Sequence, residues 1–180
     1  MGVKTMNKTA LLVIDVQNAL VSEHPYQEVT LINSLVNLIS SCRDKGIEVI
    51  YVQHNDEDDE SLSRGSFGWQ IYDEIRPMES EKVFHKNYNS AFRNTGLKDY
   101  LDGKGYDTLI LGGMQTEYCI DTSIKVAFEY GFNLLIPEDG VSTFDQSDMT
   151  GEELCRYYLY RIWNNRFGKV MSSGDIIRSL

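Results

Sequence analysis

The chain has 180 residues, 42% hydrophobic and 24% charged, a balance that predicts one soluble globular domain over residues 1–180. Its net charge of −10 argues against nucleic acid and anionic membrane surfaces as partners, because like charges repel. The start of the chain does not resemble a signal peptide, no run could span a bilayer, and the three cysteines lie far apart, so we expect a cytoplasmic protein without a disulfide framework.

Short apolar runs rich in β-branched residues recur along the chain and predict strands. Unbroken runs of this kind are typical of strands that are buried on both faces, as in a parallel sheet covered by helices. They lie at residues 10–16, 47–53, 82–86, 107–113, 132–137 and 168–172.

Helical patterns lie between these runs, at residues 27–46, 95–103, 116–131 and 148–168. The first of them places Leu31, Leu35 and Leu38 on one stripe and ends at Gly46, the residue type favoured after a helix C-terminus. The alternation of strands and helices predicts a doubly wound, three-layer α/β/α sandwich with a mainly parallel six-stranded sheet. Ligands bind such sheets at the carboxyl ends of the strands, near the switch in strand order.

Two charged residues stand at predicted strand ends. Asp15 interrupts an apolar run, and a buried carboxylate is costly unless it is paired. A structural role, holding a loop amide or capping the next helix, is as plausible for it as a catalytic one. Lys86 ends the third strand and could pair with Asp15, although a lysine at a strand end is, taken alone, most simply an exposed loop residue.

A cysteine follows the fourth strand in the stretch "GGMQTEYC". We expect Thr116 to cap the next helix, which places Cys119 in the first turn, where the helix dipole favours a thiolate. Cys42 and Cys155 lie on helical segments and are expected to be core residues. A carboxylate, an ammonium and a thiol at three strand ends are the parts that covalent acyl chemistry requires.

Four stretches, "LLVIDVQN", "VFHKNYNSAFRNTGLKDYL", "LILGGMQTEYCIDTS" and "IPEDGVST", resemble the isochorismatase-like cysteine hydrolases. This family includes nicotinamidases, N-carbamoylsarcosine amidase, streptothricin hydrolase and isochorismatases. The resemblance implies a catalytic triad of Asp15, Lys86 and Cys119, a cis peptide bond between Met114 and Gln115, and an oxyanion hole formed by the backbone amides of Gln115 and Cys119. It thus implies an amidohydrolase that cleaves a C–N bond of a small amide through a thioester.

The chain departs from the family's metal-dependent members. Nicotinamidases hold a metal with an Asp-x-His pair and a further histidine after the second strand. This chain has His54 there and lacks the Asp-x-His pair, so we predict neither a metal nor another cofactor. The acidic run 56–60 is expected to be a solvated loop.

The substrate is expected to be a small molecule, and family members commonly form homodimers or larger homo-oligomers. His54 could contact the substrate or be an ordinary residue at the start of a loop. Trp69 could line the pocket, pack at a subunit interface, or do both. An isochorismatase-type hydrolase of a non-amide substrate and a non-catalytic binding module remain alternatives. The candidate substrate-binding residues are Asn18, Leu20, His54, Phe67, Trp69 and Tyr118, with residues 61–75 as the wall and lid of the pocket.

Overall fold

The structure is a computed structural model that describes residues 8–56 and 61–180. The predicted acidic loop therefore lies mostly outside the described residues. The strands are β1 (Thr9–Ile14), β2 (Glu48–His54), β3 (Lys82–Lys86), β4 (Thr108–Met114), β5 (Asn133–Pro137), β6 (Val141–Ser142) and β7 (Lys169–Met171). The α-helices are α1 (Asn18–Ser22), α2 (Glu28–Asp44), α3 (Leu97–Lys104), α4 (Asp121–Glu129), α5 (Gly151–Tyr157) and α6 (Ser173–Ser179).

The sheet confirms the predicted doubly wound parallel architecture. Its order is β3-β2-β1-β4-β5-β7, and β6 pairs with the end of β4. All of these pairings are parallel. The chain leaves β1 towards one edge and then returns to β4 on the other side of β1, so the switch point lies between these two strands. The sheet therefore has one strand more than predicted, since the two residues of β6 are too few to form a pattern.

Helices cover both faces of the sheet, which explains why the strands read as unbroken apolar runs. In β1, Leu12 and Ile14 belong to a core cluster shared with α3 and α4. Leu11 and Val13 point to the other face and belong to a cluster shared with α2 and α6. Each of these four side chains is at most 1% exposed. Alternate residues of one strand thus fill two separate cores.

The helix expected at 116–131 starts differently from the prediction. Gln115 occupies the N-cap position, and residues Thr116–Ile120 form a π-helical turn that runs into α4. Thr116 is therefore not the cap. It is fully buried, and its hydroxyl lies 3.4 Å from Cys155 Sγ. A hydroxyl buried beside another helix has found a partner there, so it is not available to cap its own helix.

Two more helical segments differ from the sequence pattern. The segment predicted at 148–168 begins at Gly151, because Thr150 and Glu153 form a reciprocal capping box, and it becomes π-helical over Tyr158–Trp163. The short helices α1 and α6 were not predicted. Within residues 8–56 and 61–180, no helix combines the length and the apolar character needed to cross a bilayer.

Candidate active site

Asp15 directly follows β1 and turns the chain out of the sheet. Its backbone is in the left-handed region (φ +53°), and its N–H donates to the Val52 carbonyl at 2.9 Å. The side chain is 2% exposed, and Oδ2 lies 2.6 Å from the Lys86 ammonium. The N-cap of α1 is Gln17. The carboxylate is therefore paired with a buried cation and does not cap the next helix.

Lys86 ends β3, and its side chain is fully buried. The interpretation of this lysine, taken alone, as an exposed loop residue is therefore wrong. Its Nζ lies 2.6 Å from Asp15 Oδ2, 2.8 Å from His54 Nδ1 and 3.2 Å from Cys119 Sγ. An ammonium has three hydrogens and no lone pair, and this one donates hydrogen bonds to His54 Nδ1 and Cys119 Sγ. Its contact with Asp15 is an ion pair, and this opposite charge together with the two hydrogen bonds compensates for the burial of the ammonium.

The surroundings of Cys119 favour a protonated thiol, contrary to the expectation that the helix dipole favours a thiolate. Burial and, after it, the nearby Asp15 charge raise the pKa of the thiol, Lys86 lowers it, and the net result is a pKa of about 12. One carboxylate oxygen of Asp15 lies within 4.8 Å of Sγ. Neither carboxylate oxygen of Asp15 has a hydrogen-bond partner among the described residues, although Oδ2 forms the ion pair with Lys86. A neutral thiol thus lies beside a carboxylate that can accept its proton.

The backbone between β4 and the cysteine forms one wall of the site. Gly113 pairs with Ile14 in the parallel ladder, which brings this stretch beside Asp15. The peptide bond between Met114 and Gln115 is cis. Gln115 and Cys119 both border the cavity in front of the thiol. The two backbone amides expected to bind an oxyanion thus belong to residues on the same cavity wall.

This cavity measures about 460 Å³, within the range typical of small-molecule sites. Three of the candidate substrate-binding residues border it, namely Leu20, His54 and Tyr118. The tyrosine side chain is 46% exposed at the mouth. The full lining is Asp15, Leu20, His54, Asp56, Ser61, Leu62, Asn89, Gln115, Tyr118 and Cys119.

The other three candidates do not border it. The Asn18 amide donates to the Phe67 carbonyl at 3.1 Å, and both residues border a separate groove, where Phe67 is 76% exposed. The Trp69 indole N–H donates to Asn55 Oδ1 at 2.6 Å, and its ring stacks on His85 at 5.5 Å. Hydrogen bonds to α1 hold the backbone around Phe67, and hydrogen bonds to Asn55 and Gln17 hold Trp69.

Gln17 and Asn89 are site residues that the sequence pattern did not identify. Gln17 is fully buried, and its amide group joins the backbones of His54 and Trp69. Asn89 Oδ1 lies 4.0 Å from Cys119 Sγ. Gln17 could have been identified from the sequence. A polar residue two positions after the end of a buried strand is expected to form hydrogen bonds with nearby backbone groups. Asn89 had no such signal, because the "NYNS" loop contains several similar residues.

Among the described residues, the side chains at the site do not fit a metal centre. Asp15, His54 and Cys119 each offer one ligand atom, and these atoms lie within 4.8 Å of one another. The Lys86 ammonium already contacts a ligand atom on each of them. A divalent cation among the same atoms would lie against a fixed positive charge. This cluster therefore matches an ammonium rather than a metal ion.

The different burial of the three cysteines leads to a labelling prediction. Cys42 and Cys155 are buried, whereas Cys119 is partly exposed. Excess iodoacetamide should therefore add one carbamidomethyl group to the native protein and three to the denatured protein, as measured by intact mass. Cys119→Ala should remain unlabelled in its native state. Native labelling of two or three thiols at similar rates would contradict this assignment.

Comparison with known proteins identifies relatives of the whole fold. A family model described as "Isochorismatase domain" matches residues 9–174. An uncharacterized isochorismatase family protein of Bacillus subtilis is 33% identical, over 75% of this chain and 78% of that protein. N-carbamoylsarcosine amidase of an Arthrobacter species is 29% identical, over 97% of this chain and 72% of that protein. The structure of an isochorismatase-like hydrolase from Alkaliphilus metalliredigens superposes with a TM-score of 0.86 at 27% identity, covering 98% of each chain.

Proposed function

The chain belongs to the isochorismatase family of hydrolases, and we propose that it hydrolyses a C–N bond of a small amide through a thioester on Cys119. One observation carries this proposal: a buried ammonium lies between a carboxylate and a thiol, 2.6 Å from the first and 3.2 Å from the second. The carboxylate can accept the thiol proton, and the ammonium can stabilise the negative charge while it moves between oxygen and sulfur.

In the first half of the reaction, the Cys119 sulfur attacks the amide carbonyl carbon while its proton moves to Asp15. The pKa of the thiol is raised, so the sulfur needs a base to accept its proton, and Asp15 is that base. A C–S bond forms, and the carbonyl electron pair moves onto oxygen. We propose that the backbone N–H groups of Gln115 and Cys119 bind this oxyanion. The C–N bond then breaks, and the leaving amine takes the proton from Asp15.

In the second half, a water molecule attacks the thioester and transfers a proton to Asp15. The C–S bond breaks, the acid product leaves, and Asp15 returns the proton to the sulfur. Lys86 keeps its charge throughout, because it acts only by electrostatic attraction and hydrogen bonding. The same carboxylate thus works as base and then as acid in each half of the cycle.

A substrate panel tests the proposal directly. The purified protein should release ammonia or an amine from at least one member of a panel of small amides, among them nicotinamide and N-carbamoylsarcosine. Cys119→Ala should show no release, and intact mass of the wild type should detect an acyl adduct during turnover. The leucine of the cavity wall offers a matched control: Leu20→Val should change KM without preventing adduct formation.

Two results would count against this proposal. A substrate that is hydrolysed without release of an amine would indicate the isochorismatase-type alternative, in which a non-amide bond breaks. Turnover of an amide that persists in Cys119→Ala would exclude the thioester. An amine-releasing reaction that requires Cys119 and passes through a trapped adduct is the result that the proposal predicts.

A further inference from the structure

The third contact of the Lys86 ammonium has no part in the reaction cycle above. Besides Asp15 and Cys119, Nζ contacts His54 Nδ1 at 2.8 Å. The cycle needs only the contacts to the carboxylate and the sulfur. The contact to His54 therefore calls for an explanation of its own, especially since the lysine side chain is fully buried.

The hydrogen bonds of His54 define its protonation state. An ammonium can only donate, so Nδ1 must accept, and the ring proton must lie on Nε2. Nε2 lies 3.1 Å from Asp56 Oδ1, which can accept that proton in a hydrogen bond. Burial, and then the charge of Lys86, lowers the pKa of His54, in keeping with a neutral ring. His54 is thus a neutral imidazole with a fixed tautomer.

The backbone of His54 is held as firmly as its ring. Its N–H donates to Gln17 Oε1 at 2.9 Å, and its carbonyl accepts from Gln17 Nε2 at 3.0 Å. Gln17 is fully buried. Two hydrogen bonds from one amide and the hydrogen bond to Asp56 therefore fix the direction in which Nδ1 points.

We propose that His54 is a positioning residue that holds the Lys86 ammonium between Asp15 and Cys119. This inference rests on the proposed function, because it assigns to His54 the placement of a charge which that reaction needs. A lysine side chain has four rotatable bonds, and removal of Nδ1 would leave one further hydrogen of the buried ammonium unpaired. Without Nδ1, Nζ should move to satisfy that hydrogen, and its distance from the sulfur should grow.

Three substitutions of His54 distinguish the effect of the acceptor atom Nδ1 from the effect of the imidazole ring. Asn can place its Oδ1 where the histidine has Nδ1, so His54→Asn keeps an acceptor for Lys86. Gln places its amide nearer the position of Nε2, so His54→Gln retains a polar group that does not meet the ammonium. His54→Ala removes both. Exposed His24, whose side chain is 81% exposed, provides the control His24→Ala.

Two measurements are made on each variant, with thermal unfolding to verify that it is folded. The first is kcat and KM for an amide that the wild type hydrolyses. The second is the rate at which iodoacetamide alkylates Cys119, which needs no substrate. We expect His54→Ala and His54→Gln to lose about 10²-fold in kcat with little change in KM, since a misplaced catalytic group has effects of that size.

Alkylation of Cys119 should be slower in His54→Ala and His54→Gln. In these variants the Lys86 ammonium lies farther from the sulfur and no longer lowers the pKa of the thiol. A rise of one unit corresponds to about tenfold slower alkylation. His54→Asn should recover most of both rates, and His24→Ala should match the wild type. The alkylation rates test the role of His54 even if no amide in the panel is hydrolysed. Failure of the proposed function can therefore be distinguished from failure of this inference.

Three results would overturn the inference. Wild-type kcat and alkylation in His54→Ala would show that Lys86 needs no third acceptor. A change in KM alone would assign His54 to substrate contact. Equal losses in the Asn, Gln and Ala variants would show that the imidazole ring, rather than the acceptor atom, is what matters.

Discussion

Replacing Asp15 with asparagine should abolish detectable amide turnover and yet make Cys119 react faster with iodoacetamide. Turnover should fall by about 10²- to 10⁴-fold, because the variant has no group that can accept the thiol proton. Alkylation should accelerate, because the Asp15 charge raises the pKa of the thiol and its removal lowers that pKa. At a fixed pH below the pKa, more of the sulfur is then thiolate. Steady-state kinetics and time-resolved intact mass measure the two effects on one preparation.

Lys86→Met is the matched contrast, since it removes the charge of opposite sign. Lys86 lowers the pKa of Cys119, so its loss should raise that pKa and slow alkylation. Turnover should fall in both variants, whereas alkylation should change in opposite directions. Slower alkylation in Asp15→Asn, at unchanged far-UV circular dichroism, would mean that Asp15 acts mainly by holding Lys86 in place, and the assignment of Asp15 as the base would then lose its support.

The elements of the fold that could be predicted are those whose burial requires a long pattern of apolar residues. The strand runs and α2 were recognisable because their apolar residues repeat over five residues or more. The two-residue strand β6 carries no such repeat, and α1 has only five residues. The π-helical start of the segment after β4 was missed for another reason. It depends on a contact between Thr116 and Cys155, which are 39 residues apart in the chain.

The site was predictable from position, and its electrostatics were not. Lys86 ends its strand, and Asp15 and Cys119 follow theirs; the three strands end at the same edge of the sheet, so topology brings these residues together. The charge state of Cys119 depends on a balance between desolvation and the Asp15 charge, which raise the pKa, and the Lys86 charge, which lowers it. Desolvation is the largest of these effects, and it becomes visible only when the packing is known. The contact of His54 with Lys86 has the same origin, because it joins residues from the neighbouring strands β2 and β3.

Gly113→Ala should destabilise the protein severely, although it adds a single methyl group. Gly113 has φ +129°, a region that side-chain-bearing residues rarely adopt, and an added Cβ would lie 1.9 Å from the Ile14 carbonyl oxygen. Both atoms belong to central strands, so neither backbone can shift without breaking the ladder between β1 and β4. We expect a loss above about 4 kcal/mol in the free energy of unfolding, measured by urea denaturation, a size reserved for severe backbone or core conflicts.

Gly103→Ala is the matched control, because an added Cβ there meets no atom within 4 Å. Gly103 lies inside α3, where alanine is the better helix former, so this variant should gain about 0.5–1 kcal/mol. Near-equal stability of the two variants would refute the close approach between Gly113 and Ile14. That approach matters for chemistry as well as for folding. Asp15 follows Ile14 and the Met114–Gln115 peptide follows Gly113, so the spacing of β1 and β4 also sets the distance between the carboxylate and the wall that faces the thiol.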